Sequence, residues 1–314
     1  MMKRFKNILL YAGMEQNEAA VNRAVKLAIE NDARLTVMDV VKPIPRALGM
    51  LTATASSEEL QRLVAQDHRE KLLRAASEYV DTGLDLEVVV STGDPATEIV
   101  RQVMADGHDL VVKAVNAEGA GKLFGSIARS LLRICPCPLL LLKPEIHGDF
   151  DKILAAVDLA ASDAPHRNLN RDILELAASV AERENAELHL VSAWDVWMES
   201  ALRRRAGDAE VDAAIEQKKS KIDEDLKSLI DGRESVSCHV HPHVHRGNPA
   251  SIVRLVADEI EADLLVMGTV CRTGAAGFLI GNTAETVLSG VNCSILALKP
   301  EGFISPVLPA DQVE

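Results

Sequence analysis

The 314-residue chain is 47% hydrophobic and 26% charged, the balance of a globular protein of about two domains, which excludes disordered, collagen-like and coiled-coil chains. A formal net charge of −13 and only 3% aromatic residues speak against a nucleic-acid binder, which needs a basic face and platforms for stacked bases. The acidity is uneven: residues 1–147 hold 18 Lys+Arg against 19 Asp+Glu, and residues 148–314 hold 16 against 28.

Strands and helices alternate along the chain. The first half reads as a strand over 7–12, a helix over 18–30, a strand over 35–41 and a helix over 56–80 with Ser56 or Ser57 as its cap. A strand over 84–90 follows, then a helix over 95–104 with Pro95 in its first turn, where the missing N–H costs little. The half closes with a strand over 110–113, a helix over 126–133 and a strand over 139–142. The second half repeats the order: 152–157, 172–183, 188–193, 211–230, 236–245, 249–260, 264–268, 283–288 and 295–298. Near-continuous apolar strands alternating with helices predict parallel sheets covered on both faces.

The two halves are copies. Gly93-Asp94-Pro95-Ala96 returns as Gly247-Asn248-Pro249-Ala250, and Asp109-Leu110-Val111-Val112 as Asp263-Leu264-Leu265-Val266, both at an offset of 154. Cys137 to Pro144 returns as Cys293 to Pro300 at an offset of 156, so the second half gains two residues before Gly281. Units of this length are duplicated domains rather than solenoid repeats. The expected boundaries are 1–146, 147–302 and a tail over 303–314. Five cysteines are too few and too odd a number for a disulfide framework, which suits the cytoplasm. No apolar run reaches the length of a membrane span, and residues 1–10 lack the features of a signal peptide.

Parallel sheets bind ligands beyond the carboxyl ends of their strands, where the strand order reverses. In the second half the loop at that place runs from Met267-Gly268 to Gly281-Asn282-Thr283, carries four glycines and opens a helix. Glycines let backbone N–H groups approach an anion, and a helix start adds unpaired donors. The loop is not a Walker A loop, since no Gly-Lys-Ser/Thr is present.

This loop resembles the nucleotide loop of the universal stress protein family, Gly-x2-Gly-x9-Gly-Ser/Thr. Gly268 and Gly281 match, Cys271 stands for the middle glycine and Asn282 for the Ser/Thr. The strand from Ile153 to Asp158, the Gly247-Asn248-Pro249 turn and the segment from Cys293 to Pro300 resemble other parts of the same family. Similarity over 5–144 and 150–300 marks the chain as resembling tandem, E-type members. The resemblance implies two five-stranded parallel-sheet domains of the Rossmann-like, adenine nucleotide alpha hydrolase-like class, packed through their fifth strands as an intramolecular pseudo-dimer, with higher oligomers open. It implies that ATP, with or without Mg, sits against Ala156, Val157, Asp158, Ala193, Met267, Gly268, Cys271, Gly281, Asn282 and Thr283. Asp158 would meet the adenine or ribose. No general base is recognisable, so a stress-response role through binding is expected rather than turnover. A slow ATPase or phosphotransferase and a binder of a larger amphipathic or nucleotide-linked ligand are the alternatives. The first half lacks the carboxylate, since Gly13 stands at the Asp position, and its loop reaches Gly125-Ser126 two residues early with Ala114 and Ala117 for the leading glycines. It reads as a degenerate site.

Three other features draw attention. His239, His241, His243 and His245 share one face of a strand, and the first three have the spacing of a Zn²⁺ chelate, although an exposed edge strand explains the pattern equally. Cys135-Pro136-Cys137 has a redox spacing, yet Cys137 and Cys293 hold equivalent places before an apolar strand and read as small core thiols. Arg203-Arg204-Arg205 reads as a solvated charge run, and Trp194 and Trp197 as pocket walls or loop packing.

Overall fold

The computed structural model describes residues 5–13, 17–45, 56–79, 83–115, 125–143, 149–161, 163–232, 238–273 and 277–309. The chain divides into two compact units. One holds residues 4–148, 294–299 and 303–314; the other holds 1–3, 149–293 and 300–302.

The first unit contains β1 (Asn7–Tyr11), α1 (Glu18–Asn31), β2 (Arg34–Val41), α2 (Ser57–Ser77), β3 (Leu86–Thr92), α3 (Pro95–Asp106), β4 (Leu110–Ala114), α4 (Ser126–Ile134) and β5 (Leu139–Leu142). Its parallel strands are ordered β3-β2-β1-β4-β5. The apolar runs read from the sequence are its centre: Ile8, Leu9, Leu10, Val111 and Val112 are wholly buried. Ser56 caps α2, accepting from the Glu59 N–H. The apolar strand over 139–142 gains a further partner: β12 (Ser294–Leu298), from the end of the chain, pairs with it antiparallel, Leu296 opposite Leu140. Both strands are buried throughout, which explains their lack of polar alternation.

The second unit contains β6 (Lys152–Ala156), α5 (Ala164–Glu184), β7 (Glu187–Trp194), α6 (Glu199–Ala206), α7 (Asp208–Asp231), β8 (Val240–Arg246), α8 (Pro249–Glu259), β9 (Leu264–Gly268), β10 (Val270–Thr273), β11 (Gly277–Ile280) and α9 (Asn282–Leu288). Its parallel strands run β9-β6-β7-β8. Three elements depart from the sequence pattern. α5 begins at Ala164 rather than 172, because Asp163 caps it by accepting from the His166 N–H and Pro165 sits in its first turn. The helix expected over 211–230 is preceded by α6, and Gly207 at φ +87° breaks the two apart. β10 and β11 form a hairpin inside the loop expected to be irregular.

The copies share the devices that set their geometry. Asp109 accepts the Lys6 and Asn7 N–H groups, and Asp263 accepts those of Asp151 and Lys152, fixing where β1 and β6 begin. Asp94 and Asn248 cap α3 and α8 with Pro at the next position. These contacts explain why the Gly-Asp/Asn-Pro and Asp-Leu pieces of the repeat are the most legible.

Candidate functional site

From β1 the chain steps to β2 and β3 and then crosses to β4 on the other side; β6, β7, β8 and β9 do the same. The strand order therefore reverses between β1 and β4 and between β6 and β9, and such sheets bind ligands beyond the carboxyl ends of the strands at that place.

In the second half Ala156 is the register partner of Met267 at this point. Met267 is buried, and Ala156 is half-buried. Val157 carries the chain onward with its N–H on the Val191 carbonyl, 3.0 Å away. Asp158 follows, exposed, and its Oδ1 accepts from the Ala160 and Ala161 N–H groups at 3.0 and 3.2 Å. The carboxylate thus shapes the turn as well as facing solvent. Asn170 on α5 holds that turn from behind: its Oδ1 accepts the Asp158 N–H at 3.0 Å and its Nδ2 donates to the Asp158 carbonyl at 2.8 Å. Ser192 on β7 accepts the Leu159 N–H at 3.3 Å. Ala193 is the next residue, buried and in register with His245, one strand away from β6.

Gly268 ends β9 where α5 passes close: a Cβ there would lie 2.7 Å from Leu169 Cδ2. The close approach explains the glycine without reference to a ligand. Beyond Thr269, β10 and β11 pair antiparallel, with Cys271 opposite Leu279. Strand backbone accepts any residue, so Cys271 in place of a glycine imposes no strain. The Gly281 N–H then donates to the Thr269 carbonyl at 3.1 Å, bringing the end of the loop back beside its start. Gly281, rather than Asn282, is the N-cap of α9, and Asn282 and Thr283 stand exposed in the first turn. Register thus sets Ala156 beside Met267, with Val157 and Asp158 following Ala156 and Gly268 following Met267, and the Gly281 N–H returns the loop to Thr269. Residues 274–276 lie outside the described residues.

The first half fills the same place with its own side chains. Tyr11 and Lys113 are register partners where Ala156 and Met267 stand in the other copy. Tyr11 is buried, and Lys113 Nζ lies 5.9 Å from its ring centroid while donating to the Ala114 carbonyl at 2.6 Å. Burial, then Asp39 and Asp94, push the Tyr11 hydroxyl up to about 12, and burial pulls the Lys113 amine down. Asp39 is itself buried and meets His68 Nδ1 at 2.6 Å. Residues 116–124, the middle of this loop, lie outside the described residues.

The histidine face takes a different form from the expected chelate. His239, His241 and His243 run along β8 and its entry, at the edge of the sheet, but His243 Nε2 meets Nδ1 of His189 on β7 at 3.0 Å. The His189 ring stacks on those of His241 and His243 at 5.1 and 5.2 Å. Burial pulls both His189 and His243 below the ordinary imidazole value. Among the described residues no three His, Cys, Asp or Glu side chains converge to hold a cation. The arrangement is a hydrogen bond between two rings, and the i, i+2 pattern concealed it because His189 belongs to the neighbouring strand. Arg203 is committed to Glu199, Asp208 and Asp212, as expected of a solvated charge run. Trp194 is buried beneath Lys218 and Arg246, whereas Trp197 is exposed.

A cavity of about 390 Å³, which the sequence did not indicate, adjoins the Asp158 turn between α5 and α7. Leu159, Leu174 and Leu229 form its apolar wall, and Arg167, Arg171 and Lys221 its basic one, opposed by Asp225. Between α1 and α2 of the first half a gap of about 20 Å³ is lined by Val21, Val25, Leu72, Ala75 and Tyr79, and the Tyr79 hydroxyl donates to Asn22. Asn170 had a sequence signal that the element reading passed over: a polar residue on an otherwise apolar helix face, at the repeat position of the α1 cap Asn17.

Residues 4–143 and 149–299 each match the model of the Universal stress protein family. The chain is 27% identical over 326 residues to Universal stress protein E of Photorhabdus laumondii, covering 99% of this chain and 100% of the relative. It is 27% identical over 313 residues to Universal stress protein E of Escherichia coli K12, covering 98% of each. Among solved structures it resembles a functionally unknown protein of Pseudomonas aeruginosa PAO1, with a TM-score of 0.74 at 25% identity, covering 96% of this chain and 94% of the other.

Proposed function

The chain belongs to the universal stress protein family, and from that premise we propose that its second half binds an adenine nucleotide, ATP, beyond the carboxyl ends of β6 and β9, as a regulatory ligand in a stress response. The observation that carries this reading is the switch point itself. Ala156 and Met267 make the strand ends uncharged, Asp158 follows two residues beyond Ala156, and the loop returns Gly281 beside Thr269. The adenine and ribose would rest along Ala156 to Asp158 and the end of β7 near Ala193. Asp158 Oδ2 has the lone pairs to accept ribose hydroxyls. The phosphates would meet the backbone from Gly268 to Cys271 and from Gly281 to Thr283, where glycine allows close approach. Bound Mg would supply charge neutralisation to the phosphates. The acidity of this half opposes an anion only weakly, because charges beyond about 8 Å are screened at physiological salt.

Among the described residues no helix is long and apolar enough to cross a membrane, and the low cysteine count suits the cytoplasm. Titration calorimetry with ATP tests the assignment. One equivalent should bind to the natural chain and none to a Gly281→Val variant. Two equivalents, or unchanged binding by the variant, would sink it.

The cavity beside Asp158 favours a second reading. Its volume lies in the range of small-molecule pockets, and it joins apolar walls to three cationic side chains. A ligand with an apolar body and an acidic group would use both. Native mass spectrometry of the freshly purified chain separates the readings, since a co-purified amphiphile would favour the cavity over the loop.

A further inference from the structure

The cysteine pair of the first half acquires a chemistry from its surroundings. Cys135 is the C-cap of α4, with its N–H on the Leu131 carbonyl, and Cys137 leads into β5. Pro136 between them fixes one backbone dihedral. Their Sγ atoms lie 3.6 Å apart, in thiol hydrogen-bond contact. A disulfide needs about 2.05 Å, so the two sulfurs must draw together by about 1.5 Å to form one. Cys135 is wholly buried and Cys137 is partly exposed, so the pair has one sheltered member and one at the surface.

The two thiols are also unequal. The hydrogen bond from Cys137 and, more weakly, the nearby Lys299 ammonium hold Cys135 below the ordinary thiol range, against the opposing effect of burial. The same bond and burial push Cys137 up. Burial lowers Lys299 to about 8, which leaves it mostly charged at neutral pH. A thiolate with a neighbouring thiol to resolve it is the arrangement that reactive dithiols share. The second half supplies an internal contrast. Cys293 repeats Cys137, but Val291 stands where Cys135 does, so that copy lacks the Cys-Pro-Cys sequence.

We propose that Cys135 and Cys137 form a hydroperoxide-reactive dithiol that closes to an intramolecular disulfide. The Cys135 thiolate attacks one oxygen of hydrogen peroxide, the O–O bond breaks, and hydroxide leaves, giving a sulfenic acid. The Cys137 sulfur then attacks the Cys135 sulfur and expels the sulfenic oxygen, which departs as water with the Cys137 proton. The hydroxide takes up the proton first released by Cys135. The sum is two thiols and one peroxide to one disulfide and two waters.

Peptide mapping of the full chain after peroxide treatment and alkylation under denaturing conditions tests this. The tryptic peptide that begins at Ile134 contains both cysteines. It should lose two hydrogens and take up no alkylating agent, and dithiothreitol should restore both thiols. Cys137→Ser should instead trap one dimedone adduct on Cys135, and Cys293→Ser should change nothing. Lys299→Gln, which removes the ammonium but keeps a polar chain, should move the pH profile of the peroxide reaction upward. A peptide that keeps two alkylatable thiols after peroxide treatment overturns the site. Dimedone trapped on Cys137 in Cys135→Ser, with none on Cys135 in Cys137→Ser, overturns the order of attack.

Discussion

The two halves share strand order, caps and clamps, yet they treat the switch point in opposite ways. The first half turns it inward: Tyr11 fills it, Lys113 donates to Ala114 and lies over the Tyr11 ring, and Asp39 binds His68. The second half has Ala156, Met267 and Ser192 at those positions, and places Asp158 where the first has Gly13. At this switch point Lys113 and Asp39 both find partners inside the protein, Ala114 and His68. A duplicated fold keeps its sheet in both copies because packing demands it. It keeps a site only where a function selects it, so the residues at strand ends diverge while the strands do not.

The sharpest test of that contrast is the Asp39–His68 pair, whose second-half counterpart is a single neutral hydrogen bond from Leu159 to Ser192. Removing one member of a buried pair strands the other, at a cost of about 3 kcal/mol. Asp39→Ala should therefore lower unfolding stability by about that amount in urea titrations, and Ser192→Ala by about 1 kcal/mol. Equal losses would mean that the Asp39–His68 contact stabilises the first half no more than the Leu159–Ser192 bond stabilises the second. A smaller effect is expected on ligand binding. Asp158→Ala should weaken ATP by ~1.5–3 kcal/mol, the scale of a hydrogen bond to a charged group. Gly125→Val, at the matching loop position of the first half, should leave the calorimetric affinity unchanged. Because Asp158 Oδ1 also holds the Ala160 and Ala161 N–H groups, Asp158→Asn is the control that keeps the turn while removing the charge.

Much of this was legible in the sequence because buried parallel strands must be apolar nearly throughout. Runs such as Leu110 to Val112 and Leu139 to Leu142 announce themselves, and the repeat fixes their order. Gly268 and Gly281 stood out in the second-half loop because they match the spacing of the family pattern it resembles. What stayed hidden depended on pairing across elements. His189 meets His243 only through the register of β7 on β8, and Asn170 reaches Asp158 only because α5 starts early. The β10–β11 hairpin was hidden because a glycine-rich stretch gives no alternation to read. The Tyr11–Lys113 plug was visible as two residue types but not as a contact, because only the β1–β4 register places them side by side.

A further contrast lies at the foot of the sheet. His108 is buried before β4, and the matching residue before β9 is Ala262. Burial pulls His108 below the ordinary imidazole value, opposed by Asp106 and Asp109. The unfolded chain thus takes up this proton at higher pH than the folded one. Its contribution to stability is complete above about 6.5 and is lost as pH falls below that toward the lower folded value. His108→Ala should flatten this part of the stability curve between neutral and mildly acidic pH. A decline as steep as that of the natural chain would assign it to other groups.

The smallest effect concerns the plug. Lys113→Met places the second-half residue into the first half. The variant loses the hydrogen bond to Ala114, a gain of about 1 kcal/mol for a typical bond. It also sheds the desolvation that pulls the amine down. Methionine is unbranched and fills a gap of similar length beside Tyr11. The two changes oppose each other, so stability should shift by less than about 1 kcal/mol. More informative is what should not happen. With Lys113 gone the crevice still lacks the Asp158 carboxylate, because Gly13 has no side chain, and the loop still falls two residues short of the second-half length. Calorimetry should therefore find a single ATP equivalent. A second equivalent in Lys113→Met would show that the buried cation, rather than the missing carboxylate and shortened loop, keeps the first half closed.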